Sequence, residues 1–346
     1  MDQVQKKQKV ILLALSLILI VTCIIALGMG AYHIPPGDIL SMLMGKIDHA
    51  ESTDQNSMQA NVLFEIRMPR LLLGLLVGAA LGISGATIQG IFRNPLAEPG
   101  LIGISSGASL FAVLIIAFET FLLTSLSAWL GYYILAFGAF VGAGLTAFLV
   151  YRIARKNGRP NVTTMLLAGI AINAFAGALT GLMTYMSTEQ QLRTITFWML
   201  GSLGGATWDN LLAIGPFICI SLFILPFFGK SLNAFALGEL QADLLGMRTD
   251  RVKRWVVILS TLAVGASVAV SGIIGFVGLI VPHTVRLMGG PDHRFVLPGS
   301  LLLGALVLTL ADVIARVSVA PIELPIGVIT ALLGTPVFLY ILIKDK

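Results

Sequence analysis

Ten long stretches of apolar residues, almost free of charge, constrain the fold of this chain. They cover residues 10–32, 71–92, 99–118, 131–151, 162–185, 210–229, 255–271, 276–288, 296–315 and 324–343. A helix crosses the hydrocarbon core of a bilayer with about 20 apolar residues, because in lipid every backbone polar group must find a partner within the chain. The eighth stretch is too short for a full span and predicts a tilted or broken helix inside a bundle. The pattern predicts an all-α integral membrane protein of about ten transmembrane helices, forming one domain over residues 1–346.

The composition excludes most soluble classes of protein. Of the 346 residues, 57% are hydrophobic and only 11% are charged, whereas a soluble domain is about 45–50% apolar and about 25% charged. A soluble enzyme, a disordered chain and a nucleic-acid-binding protein would each need more polar surface than this chain has. The two cysteines, Cys23 and Cys219, lie inside apolar stretches and indicate neither a disulfide framework nor a metal site.

The distribution of basic residues predicts the orientation of the chain. With ten spans, all but five of the 22 Lys and Arg residues fall on the side that carries both termini. Because basic residues concentrate in cytoplasmic loops, both termini are expected in the cytoplasm. Residues 32–66 then form an external loop, and residues 230–254 form a cytoplasmic loop. The five basic residues left outside are Lys46, Arg67, Arg70, Arg193 and Arg316.

Glycines recur at helical spacing within two of the predicted spans. Gly74, Gly78 and Gly82 follow one another every four residues, and Gly138 and Gly142 repeat the interval. Small residues at this spacing let helix backbones approach closely, which is how helices associate in lipid. We expect a compact helical core rather than separate membrane anchors.

The sequence lacks the patterns of a self-sufficient enzyme or pump. Gly229, Lys230 and Ser231 have the ending of a phosphate-binding loop, but Ile224 stands where the first glycine of that loop is required. No zinc-protease motif is present, and no glycine-flanked serine has a plausible His and Asp to form a catalytic triad. Asp312 is the one acidic residue close to the interior of a span, so an ion-coupled carrier is disfavoured. Energy for transport is expected to come from another subunit.

Three polar segments interrupt the apolar pattern. They read QGIFRNPLAEPG at 89–100, ALGELQADLLGM at 236–247 and GLIVPHTVR at 278–286, and ELPIG follows at 323–327. With these motifs in order over nearly its whole length, the chain resembles the permease subunits of bacterial ABC importers for iron-siderophores, haem and cobalamin.

The resemblance implies a set of partners. Such permeases form homodimers or pseudo-dimers in the cytoplasmic membrane, dock on a cytoplasmic ATPase and receive substrate from an external binding protein. ATP and Mg²⁺ would be bound by the ATPase, so no catalytic residue, metal site or cofactor is expected in this chain. A second copy of the chain and membrane lipid are expected around it, and no nucleic acid.

The resemblance also places a coupling helix in the cytoplasmic loop. The spacing of Leu237, Leu240, Leu244 and Leu245 predicts a short amphipathic helix, and in the family this helix fits a cleft of the ATPase. The alternative is a solvated loop helix without a partner. The predicted ATPase contacts are Glu239, Ala242, Leu245 and Gly246.

Arginines at predicted external helix ends match positions at which family members receive glutamates of the binding protein. These are Arg67, Arg70 and Arg316, and a guanidinium is well shaped to pair with a carboxylate. The alternative is that they anchor helix ends at the membrane interface.

The family's translocation pathway is lined by the fifth span, the short helix after it and the tenth span. The predicted pathway residues are Asn173, Met183, Met186 and Arg193, and the predicted inner gate is Asn161, Val162, Thr163 and Thr164.

The cargo is the least constrained prediction. Arg193 could meet haem propionates or an anionic ferric chelate, or could serve as an interfacial anchor, and residues 192–205 resemble the haem importers of the family. Haem is therefore expected ahead of a ferric siderophore, with cobalamin third. A self-contained secondary transporter would need an ion site within the membrane, and a membrane-embedded transferase would need acidic magnesium motifs.

Overall fold

A computed structural model describes residues 2–30, 32, 34–44, 54–118, 128–156, 159–319 and 322–344. In these ranges the chain is helical apart from connecting segments and one small hairpin, in which β1 (Arg155–Lys156) pairs antiparallel with β2 (Arg159–Pro160). The predicted all-α class is confirmed.

Fifteen α-helices follow one another in the described ranges, with a few single turns of other helix types. They are α1 Asp2–Gly28, α2 Pro36–Leu43, α3 Asp54–Asn61, α4 Met68–Phe92, α5 Ile104–Ala117, α6 Ala128–Ile153, α7 Val162–Met186, α8 Glu189–Leu200, α9 Trp208–Ile224, α10 Gly229–Ala236, α11 Glu239–Leu244, α12 Thr249–Ser271, α13 Val277–Gly289, α14 His293–Val317 and α15 Ile326–Lys344. A π-helical turn, Val62–Arg67, leads into α4, and 3-10 turns occur at Pro99–Ile102 and Leu225–Phe228.

Each of the ten predicted apolar stretches contains one of these helices. Among the described residues, seven helical segments are long and apolar enough to cross a membrane. Three shorter apolar helices, Ile104–Ala117, Val277–Gly289 and Ile326–Tyr340, lie in the third, eighth and tenth stretches. The number of complete crossings thus depends on these three shorter helices, and ten crossings stays a prediction.

The predicted glycine packing is confirmed at the centre of the molecule, where α4 packs against α12, α13 and α14. A Cβ atom on Gly78 would overlap the carbonyl oxygen of Gly304 in α14, and one on Gly82 would overlap that of Ser300. Helices α5 and α6 meet in the same way, through Gly107 and Gly142. The backbones are in direct contact at these points, so a larger side chain has no room.

The helix in the eighth stretch, α13, is short, and the chain directly before it is not helical. After α12 residues 272–276 are not helical, and α13 starts only at Val277. Gly272 and Phe276 have positive φ angles of 66° and 68°, and a Cβ on Gly272 would overlap the carbonyl oxygen of Trp198. Non-helical backbone within a membrane protein is tolerated where protein surrounds it or where it lines a cavity. The eighth stretch thus holds one continuous short helix, α13, preceded by a non-helical segment.

The predicted external loop, 32–66, carries helical structure of its own. It holds α2, α3 and the π-helical turn, while residues 45–53 lie outside the described residues. Buried residues of this segment, including Ile34, Ile39 and Leu63, form a small second core with Leu27 of α1 and Leu71 of α4. The segment therefore covers one end of the α1–α4 pair rather than extending away from it.

Helix ends that the charge distribution predicts on the same side of the membrane lie together in the structure. Gln8 of α1 donates a hydrogen bond to the carbonyl of Gly289, at the end of α13, over 2.8 Å. At the opposite end of α1, Arg316 donates to the carbonyl of Ala26 over 3.1 Å. These contacts agree with the predicted alternation of the helices.

Candidate functional site

The structure joins two of the predicted docking arginines in one buried ion cluster. The Arg70 guanidinium binds Asp312 Oδ1 through Nε at 3.0 Å and through Nη2 at 2.9 Å. Its Nη1 donates to both carboxylate oxygens of Glu323, at 2.8 and 2.9 Å. Arg316 Nε lies 3.1 Å from Asp312 Oδ2. The side chain of Asp312 is 6% exposed and that of Glu323 is 45% exposed, so Glu323 is the solvent-facing member.

The third predicted docking arginine is also directed inward. Arg67 is 5% exposed and donates to the carbonyl oxygens of Leu27 and Tyr32. Arg67, Arg70 and Arg316 thus bind carbonyls and carboxylates of their own chain, because these are the acceptors within reach at the ends of α1, α4 and α14. Their role toward a binding protein stays a prediction.

The predicted coupling helix is present as α11, and its apolar face is directed to solvent. Leu240 and Leu244 are 69% and 80% exposed, whereas Ala242 has no exposed surface. The prediction of Ala242 as a contact residue is corrected, because a helix turns successive side chains to different faces and this one packs inward. Leu245 and Gly246 are exposed, and the carboxylate of Glu239 pairs with Lys253. The exposed leucines form a surface suited to a protein partner.

The predicted gate residues form the start of α7. The Asn161 side chain caps the helix, with Oδ1 accepting from the backbone N–H of Thr164 at 3.0 Å and from its hydroxyl at 3.2 Å. Val162 and Thr163 form the first helical turn, and Thr163 is exposed. The cap fixes where α7 begins, directly after the β1–β2 hairpin. The gating role of this turn stays a prediction.

A cavity of about 710 Å³ lies between α5, α7 and the non-helical segment 272–276. Asn173, a predicted pathway residue, lies in its wall and is held in place by a hydrogen bond to the Gly100 carbonyl at 3.0 Å and by one from Ser106. Cavities of about 300–1,000 Å³ commonly hold small molecules. The polar side chains in the wall are Glu98, Ser105, Ser106, Ser109, Asn173, Thr180 and Thr184.

Two hydroxyl groups in this cavity have no partner among the residues that the structure describes. Ser109 and Thr180 are 4% and 7% exposed, and the hydroxyl oxygen of each lacks a hydrogen-bond partner. A buried polar group without a partner costs about 1–3 kcal/mol. Burial also raises the pKa of the Glu98 carboxyl in the same wall. The cavity can therefore offer hydroxyl donors and acceptors, and a carboxyl that takes up a proton readily, to a molecule inside it.

The remaining predicted pathway residues lie outside this cavity. Arg193 lies over the ring of Phe197 at 5.8 Å and lines a second cavity of about 460 Å³ with Trp198. Met186 is 71% exposed at the end of α7. Met183 packs beside Ile195 in a small apolar cluster.

Several residues of these sites were not predicted from the sequence. Glu98 lies in one of the recognised segments, but only the structure places it in a cavity wall. In the sequence, Lys253 is one of several basic residues of the predicted cytoplasmic loop. Thr180 and Thr184 lie four residues apart on α7, a spacing that marks one face of a helix and could have drawn attention to them. The described residues contain no group of His, Cys, Asp and Glu side chains that could hold a metal ion.

Comparisons with known proteins agree with this architecture. A profile of the FecCD transport family matches residues 18–344. The hemin transport system permease protein HmuU of Yersinia pestis is 44% identical over 295 residues, covering 85% of this chain and 87% of the relative. The vitamin B12 import system permease protein BtuC of Klebsiella pneumoniae is 39% identical, covering 99% and 96%.

A solved structure has the same fold. An inward-facing metal-chelate type ABC transporter superposes with a TM-score of 0.83 at 34% identity, covering 96% of this chain and 99% of that one. The family profile spans nearly the whole chain, and the helices and motifs agree with it. The chain therefore belongs to the FecCD transport family and is a permease subunit of an ABC importer, integral to the cytoplasmic membrane.

Proposed function

We propose that this chain carries haem across the cytoplasmic membrane, taking it from an external binding protein and depending on a separate ATPase for energy. The observation that carries the proposal is the 44% identity to a hemin permease over 85% of the chain. A ferric siderophore is the second candidate cargo. The relatives named for vitamin B12, at 39–41% identity, make cobalamin the third.

The second cavity supports an anionic, aromatic cargo. Arg193 offers the guanidinium that a carboxylate such as a propionate can pair with, and Phe197 and Trp198 offer flat apolar surfaces beside it. Haem has both features, an extended ring and two carboxylates. Cobalamin lacks the carboxylates, so it would gain less from Arg193.

The larger cavity supports passage rather than tight retention. Its wall offers hydroxyl and amide groups and the Glu98 carboxyl, without any Lys or Arg side chain, so an anionic cargo can exchange hydrogen bonds as it moves without forming a strong ion pair. We assign the unpartnered hydroxyls of Ser109 and Thr180 to transient contact with the cargo.

A second copy of the chain completes the path in this proposal. Helix α7 carries both the gate turn and part of the cavity wall, yet Leu167, Ile170 and Phe175 on it are 58–66% exposed in the single chain. These residues are available to a second copy or to lipid. With Cys23 and Cys219 first replaced, cysteines at Phe175 in two copies should cross-link in the membrane; an uncross-linked complex of the correct mass would exclude α7 as the contact between copies.

The test of cargo uses the purified permease and ATPase in liposomes. Binding protein loaded with haem, a ferric siderophore or cobalamin is added, and ATP hydrolysis and uptake are measured. Stimulation of both by the haem-loaded protein is expected. Stimulation by siderophore-loaded or cobalamin-loaded protein alone overturns haem as the cargo, and uptake by the permease without ATPase or ATP would indicate a secondary transporter.

Matched variants test the two cavities separately. R193Q should raise the KM for haem uptake. T194V changes a neighbouring residue that lines the same cavity but keeps the Arg193 charge, so it should leave this KM unchanged. The double variant S109A/T180V should raise the same KM. S84A is its control, because Ser84 is also buried and unpartnered but lies outside the cavity wall.

A further inference from the structure

Lys253 is a fully buried cation near the start of α12. Its side chain has no exposed surface, although it lies among basic residues of the cytoplasmic loop that are exposed. Its ammonium donates a hydrogen bond to the carbonyl oxygen of Pro160 over 2.9 Å and pairs with the carboxylate of Glu239. An ammonium removed from water is costly unless it is paired and hydrogen-bonded, so both contacts are needed to keep it there.

The two partners of Lys253 belong to different functional segments. Glu239 is the first residue of α11, whose exposed leucines form the predicted ATPase surface. Pro160 ends β2 and directly precedes Asn161, the residue that caps α7. One buried ammonium therefore holds the start of the coupling helix to the residue before the predicted gate turn.

A second contact between the same segments lies on the surface. Arg159 of β2 approaches Asp243 of α11 at 3.5 Å and Asp250 of α12 at 3.6 Å, with its side chain 70% exposed. Ion pairs in such exposed positions contribute little, because solvent screens them. The buried contact through Lys253 is thus the stronger of the two connections, and the Arg159 contact provides a comparison in the same region.

We propose that Lys253 is a positioning residue that transmits displacement of α11 to the start of α7. The inference rests on the proposed function, in which an ATPase moves α11. Because breaking the buried pair would leave an unpaired charge, α11 and the hairpin are expected to move together when the ATPase acts. The residue would then determine how much cargo moves for each ATP hydrolysed, without contacting either ATP or cargo.

The test measures cargo uptake per ATP hydrolysed in the complete complex of permease, ATPase and binding protein in liposomes. In K253M an unbranched side chain fills the space without a charge. ATP hydrolysis stimulated by the binding protein should continue, while uptake per ATP falls at least about fivefold, the lower range of measured coupling between sites. R159Q, which removes the exposed contact, should stay within about twofold of wild type.

Further outcomes separate the inference from a general loss of structure. If K253M does not assemble, K253Q is measured instead, because its amide keeps a donor near the Pro160 carbonyl and leaves no buried charge; its uptake per ATP should fall while ATPase stimulation persists. Unchanged uptake per ATP in K253M or K253Q, or an equal loss in R159Q, overturns the inference. Failure of the wild-type complex to transport would contradict the proposed function instead.

Discussion

Replacing Asp312 by asparagine should destabilise the protein far more than the same change at Glu323. Both carboxylates bind Arg70, but Asp312 is buried and also pairs with Arg316, while Glu323 is 45% exposed. D312N keeps one oxygen acceptor and removes the negative charge shared by two buried guanidinium groups. E323Q removes one exposed charge and leaves Asp312 in place.

The expected losses of stability follow from how deeply each carboxylate is buried. Removing one partner of a buried ion pair costs about 3–5 kcal/mol, because the other charge is left uncompensated. An exposed pair is worth about 0–1 kcal/mol. In a large domain, each kcal/mol of lost stability lowers the unfolding midpoint by about 2 °C. D312N should therefore lower the midpoint by about 6 °C or more, and E323Q by about 2 °C or less.

The assay is thermal unfolding of the purified permease in detergent, followed by tryptophan fluorescence. Wild type, D312N, E323Q and the double variant are compared at one detergent concentration. Equal shifts for the two single variants, or no shift for D312N, would show that the cluster is solvated rather than buried and would refute the reasoning.

Three further predictions follow from the packing, the cavity and the cytoplasmic surface. G82A should destabilise the permease by about 1–3 kcal/mol, because the added methyl overlaps the carbonyl of Ser300; a wild-type melting temperature would contradict this close approach. Since burial raises the pKa of Glu98, its contribution to stability is complete below the unfolded-state value of about 4.3 and is lost as the pH rises through the raised value. In E98Q this pH dependence of the melting temperature should disappear, and a profile matching that of wild type would exclude Glu98 as its source. L244A should weaken binding of the ATPase at least about fivefold, measured by co-purification, because a side chain that is 80% exposed would be buried at the interface; A242G, at a fully buried position, is the comparison and should bind as wild type does.

Local sequence patterns predicted the helical class and the position of each apolar helix. These features depend on residues close together in the chain, as does the spacing of Gly78 and Gly82. The motif segments were equally local, and they were enough to identify the family.

The same patterns misjudged which surface some side chains occupy. Ala242 was expected at the ATPase surface, but the rest of the chain covers it. Arg67 and Arg70 were predicted to meet glutamates of a binding protein, and no local pattern predicted that acceptors from α1, α14 and residue 323 bind them within the chain. The partners lie up to 253 residues away in sequence, beyond the reach of any periodicity.

The sequence by itself determined that this chain is a helical membrane protein, because the hydrophobic effect and the need to satisfy the backbone within lipid act on every apolar stretch independently. Its polar motif segments, by their resemblance, identified the permease family. Only the tertiary structure decided how the few charges are used. A charge excluded from water must be paired, and its partner depends on which helices pack together: Asp312 between Arg70 and Arg316, and Lys253 between Glu239 and the Pro160 carbonyl.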